Sequence, residues 1–170
     1  YDIDLNGAIS DLQPHRLVRM PPALFNGSVK AQGTLGGSAT PASAGSRPPP
    51  PGRLDLGLTL TDSQVNRLPL AGRVVAALQL QDFAPRALAD VDAALRWGEA
   101  SAKIRGGLGE GLPGLDLDAS IPTLKPFLDD ASGAIQASAR LQGQLTAPAI
   151  EVIDLKADKL SLPAGGQRLT

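Results

Sequence analysis

The chain has 170 residues, with 16 Lys plus Arg against 17 Asp plus Glu, one His and no Cys. Charges that nearly cancel leave no broad field to recruit nucleic acid or an anionic surface, and the lack of Cys removes thiolate metal sites and disulfides. Gly 19 and Pro 15 together make a fifth of the chain against roughly 12% in average proteins, while aromatic residues reach only 3%, which implies many turns and thin cross-sections.

Tyr1, Ile3 and Leu5 alternate with Asp2 and Asp4, the period-two pattern of a half-buried strand. The chain opens inside this pattern and without Met, as expected if residues 1 to 170 are one β-rich repeat segment of a larger protein. No run approaches the ~20 apolar residues of a membrane-spanning helix and no signal-peptide pattern is present, so any anchor is expected outside this stretch. Asn6-Gly7 predicts a hairpin, because both residues tolerate positive φ. The Pro21-Pro22 pair predicts a connection from His15 to Gly27 with an apolar knot at Leu24 and Phe25.

Between Gly27 and Leu35 the alternation places Val29, Ala31, Gly33 and Leu35 on one face and Lys30, Gln32 and Thr34 on the other. Residues 36–53 hold mainly small, polar and proline residues and predict a long exposed loop, extended at Pro48 to Pro51. Patterning resumes with Leu54, Leu56, Leu58 and Leu60, and again with Gly72, Val74, Ala76, Leu78 and Leu80. The face opposite the second run carries Val75 and Ala77, so that strand is expected to be covered on both sides.

The stretch from Ala84 to Gly106 fits two templates. Leu88, Val91 and Leu95 have helical spacing; Val91, Ala93, Leu95 and Trp97 have strand spacing, with Asp90, Asp92 and Arg96 outward. A turn at Pro85 to Ala89 followed by a strand is the favoured reading. Ala102 and Ile104, then Leu115, Leu117, Ala119 and Ile121, continue the alternation around a glycine-rich turn, and TLKPFLDD predicts one helical turn. In SGAIQASARLQGQLTAP the odd positions Ile135, Ala137, Ala139, Leu141 and Leu145 are apolar and the even positions polar. Ile150 and Val152 resume the pattern, which then slips by one residue to Leu155 and Ala157, as a β-bulge at Ile153 would cause.

Chemical motifs are weak. Gly109, Gly111 and Gly114 spell G-x-G-x-x-G, but Pro113 and LDLDASI follow where a helix N-terminus should receive a pyrophosphate, so a plain turn is expected. His15 stands beside Arg16 without a carboxylate cluster and reads as a solvated loop residue. Asp90 with Asp92, and Asp116 with Asp118, read as the wet side of strands, and Trp97 as a packing anchor. No Ser/His/Asp arrangement can be built, so the chain is expected to be non-enzymatic, without cofactor or metal.

Three stretches align: LFNGSVKAQGTL, PLAGRVVAALQL and ASGAIQASARLQGQL, each with a glycine, a branched residue, an alanine and a closing leucine. Their glycines, Gly27, Gly72 and Gly133, are too unevenly spaced for a regular solenoid. The order in IPTLKPFLDDASGAIQASARLQGQLTAPAIEVIDLKADKL, with Gly143, Leu145 and Pro148 as a Gly-x-Leu-x-x-Pro hairpin, resembles the repeating unit of the TamB family, the inner-membrane component of the translocation and assembly module. AsmA-like bridge-type lipid transfer proteins share that architecture. The resemblance runs over Leu54 to Leu162, with an echo at Leu24 to Leu35.

It implies an all-β, mostly antiparallel sheet curled into an open gutter with an apolar concave face and one or two helical turns. It further implies a periplasm-spanning protein tethered to the inner membrane, facing a TamA-like outer-membrane β-barrel partner and binding phospholipid acyl chains. On that reading the groove is lined by Val29, Ala31, Leu35, the leucines 54 to 60, Val74, Ala76, Leu78, Leu80, Leu115, Leu117, Ile121, Ile135, Ala137, Ala139, Leu141 and Leu145. Two alternatives stand beside lipid transport: a chaperone-like edge that pairs with client strands during outer-membrane protein or autotransporter assembly, and a structural β-sandwich.

Overall fold

An extended segment leaves unpaired backbone N–H and C=O groups along both edges, and pairing with the next segment in sequence satisfies them at the smallest loop-closure cost. The computed structural model describes residues 1–16, 21–35, 51–81, 84–127 and 131–161. These residues form β1 (Asp2–Leu12), β2 (Ala23–Thr34), β3 (Gly52–Val65), β4 (Leu68–Gln81), β5 (Ala84–Trp97), β6 (Ala100–Leu108), β7 (Gly114–Ile121), β8 (Ser132–Gln144) and β9 (Ala147–Ser161). All pair antiparallel in chain order within one nine-stranded sheet. The sheet is curled and open, since β1 and β9 each have a neighbour on one side only. Among the described residues no second sheet faces it, so the architecture is not a sandwich. A single short 3-10 helix at Pro14–Arg16 is the helical content of the described residues.

Several local expectations are corrected. Asn6 and Gly7 do not turn: they pair with Lys30 and Val29 in the middle of β1. A full-length partner strand fixes their extended conformation, overriding the local hairpin preference. Leu24 and Phe25 belong to β2, whose ladder begins immediately after Pro22. The exposed loop ends earlier than expected, because Gly52 and Arg53 already pair with Leu80 and Gln79; residues 36–50 lie outside the described residues. Pro85 to Ala89 is strand, with Pro85 near the start of β5 where its missing N–H is least costly. Of the helical turn expected over Thr123 to Asp130, Lys125 to Phe127 form a single hydrogen-bonded turn, with the Phe127 N–H donating to the Leu124 carbonyl at 2.9 Å, and residues 128–130 lie outside the described residues.

The curl has an identifiable origin in bulges, which bend a strand and raise its twist. Registers shift at Ile9/Leu12, Leu60/Ser63 and Leu88/Val91, and in each case an Asp at positive φ is the inserted residue: Asp11 at 51°, Asp62 at 52° and Asp90 at 52°. Asp tolerates the left-handed region better than most residues. Asn26 of β2 ties two of these insertions together, accepting from the Asp11 N–H at 2.7 Å and donating to the Asp62 carbonyl at 3.1 Å. Beside it Ser63, 1% exposed, accepts from the Asn26 N–H and donates to the Asn26 carbonyl. The three aligned glycines share one steric reason. A Cβ at Gly27, Gly72 or Gly133 would run into the carbonyl of Thr59, Ala94 or Asp158 on the adjacent strand.

Candidate functional site: the apolar face

Directly paired residues of antiparallel strands project from the same side of a sheet, so the register defines rows that run across all nine strands. One row is Gly7, Val29, Leu58, Val74, Ala93, Ile104, Leu117, Ala139 and Ile153. The next is Ile9, Gly27, Leu60, Gly72, Leu95, Ala102, Ala119, Ala137 and Leu155. A third begins with Leu5, Ala31, Leu56 and Ala76 and, past the Asp90 insertion, continues as Val91, Gly106, Leu115, Leu141 and Ile150. No position in these three rows is polar. Leu54, Leu78 and Leu88 form a parallel row on one flank, and Ile121, Ile135 and Ala157 one on the other.

Neighbouring side chains shield one another only in part. Leu54, Leu58, Val74, Leu78, Ile104, Leu117 and Leu141 are half-buried, and Leu5 and Leu56 are exposed. Cover is found at one strand end, where the connection after β7 folds back. Leu124 is buried there, Phe127 meets Trp97 edge-to-face at 4.7 Å, and the Trp97 Nε1–H donates to the Val65 carbonyl at 2.9 Å. Trp97 is thus the expected packing anchor.

The opposite face carries the charges. Asp92, Arg105, Asp116 and Arg140 stand opposite one another on successive strands with alternating sign, at 3.5 Å for Arg105 to Asp92 and 3.4 Å for Arg140 to Asp116. Arg53 pairs with both Asp55 and Asp90 at 2.9 Å, and these bonds, chiefly that to Asp55, raise its guanidinium pKa above the ordinary value. Open hollows of about 690 Å³, beside Lys30, Asp55, Arg73 and Asp90, and about 330 Å³, beside Lys103, Asp118, Gln136 and Lys156, belong to this wet side. Both mix charges of either sign and present no convergent donor set. Among the described residues no group of three His, Asp or Glu side chains is placed to hold a metal ion. GEGLPG is a turn leading straight into β7, with no helix after it. His15 is not freely solvated: its half-buried Nδ1 lies 2.9 Å from the Ala23 carbonyl and 3.1 Å from the Ala23 nitrogen.

Most of the expected lining residues fall in the rows. Leu80 stands opposite Gly52 and Pro85 and is buried. Leu35 lies just past β2, tied to Tyr1 by its N–H. Leu145 is corrected: it occupies the β8–β9 turn, outside the ladder. The structure adds Ile3, Leu5 and Ile9 of β1, Leu88 and, past the Asp90 insertion, Val91, Ala93 and Leu95 of β5, and Ile150, Ile153 and Leu155 of β9. Alternation around Leu5 and Leu95 was the available signal. On β9 the inserted residue is Glu151, two positions before the expected bulge, so Ile153 joins the apolar face and Val152 the polar one.

No protein-family model, curated protein or solved structure matches this chain, so the reading of the face rests on its geometry and on the sequence pattern. What these define is a class: a one-layer, open antiparallel sheet with one continuous apolar side.

Proposed function

We propose that this face shields lipid acyl chains in transit between the inner and outer membranes, within a periplasm-spanning, inner-membrane-anchored protein of the TamB or AsmA-like kind. Support comes from the two central rows, which stay apolar across nine strands without an opposing layer among the described residues. A methylene held in water costs about 0.8 kcal/mol, so an acyl chain of ~15 carbons costs about 12 kcal/mol to carry bare across an aqueous gap. A strip of leucine, valine and alanine removes most of that barrier while asking for no chemistry, in keeping with a non-enzymatic role. The sequence resemblance supplies the expected TamA-like barrel partner and the link to outer-membrane biogenesis.

The test is lipid carried through purification, quantified by mass spectrometry. Leu58→Arg and Leu141→Arg place a guanidinium in two of the apolar rows and are expected to lose most bound phospholipid while still melting cooperatively. Equal lipid in parent and variants would refute the proposal. A second reading, capture of client strands along an edge, draws on β9, whose outer side is unpaired among the described residues, and predicts that Leu58→Arg leaves client binding unchanged.

A further inference from the structure

We draw no further inference here: the strongest candidate, the cover that Leu124 and Phe127 lay past β6 onto Trp97 of β5 at one strand end of the apolar side, belongs to the site already described, and nothing in the structure shows what covers that side beyond it.

Discussion

Ala93 in β5 and Ile153 in β9 stand in the same cross-strand row, yet Ala93 is 3% exposed and Ile153 66%. Both strands alternate apolar with polar residues. The difference lies in what flanks them: β5 has a paired neighbour on each side, while among the described residues β9 has β8 alone. In a one-layer sheet, burial is supplied laterally by adjacent rows and by long polar side chains lying over the small ones. Ala77 and Ala89, which pair across β4 and β5, are buried on the charged face near the Arg53–Asp90 bridge that reaches across β4. Stability therefore concentrates at β3 to β5 and falls away toward β9.

Paired substitutions at centre and edge break or sharpen this contrast. The largest effect is expected from Ala93→Asp, which puts an unpaired carboxylate between Val74 and Ile104. It should cost at least about 3 kcal/mol, and Ile153→Asp less than about 1 kcal/mol, read from urea denaturation midpoints. Equal losses would contradict lateral burial. Next, Leu60→Ala leaves a cavity in a buried position and should cost about 2–4 kcal/mol, against under about 1 kcal/mol for Leu155→Ala in the same row.

Ser63→Ala removes both hydrogen bonds to the Asn26 backbone and should cost about 1–3 kcal/mol, with amide exchange accelerating first at β2 and β3. Trp97→Phe keeps the ring contact with Phe127 but abandons the Val65 carbonyl, for about 1 kcal/mol in thermal melts. Smallest of all, Arg105→Ala opens an exposed pair with Asp92, and its effect should vanish at high salt.

Much of the sheet is legible in the residues themselves. Leu54 to Leu60, Gly72 to Leu80 and Ile135 to Leu141 alternate so regularly that strand and inner face follow together, because the partner rows reinforce the local pattern. Asn6-Gly7 misleads for the converse reason: its turn preference is weak beside a ladder running from Asp2 to Leu12. Bulges were the hardest part to read. Ile9-Ser10-Asp11, Leu60-Thr61-Asp62 and Leu88-Ala89-Asp90 share an apolar, small, aspartate order that marks each insertion. That common order becomes visible only once the registers are known. In β9 the alternation predicts such a slip at Ile153, whereas the insertion is Glu151, which exchanges the faces of Val152 and Ile153.

The account rests on the claim that one side of this sheet receives lipid and the other does not. A photoactivatable side chain at Val74 or Leu117, compared with one at the adjacent polar-face positions Arg73 or Asp118, tests that claim most directly in phospholipid-loaded protein. Phospholipid adducts at Val74 and Leu117 alone are the predicted result. Adducts to protein only, or lipid adducts of equal yield from both faces, would contradict it.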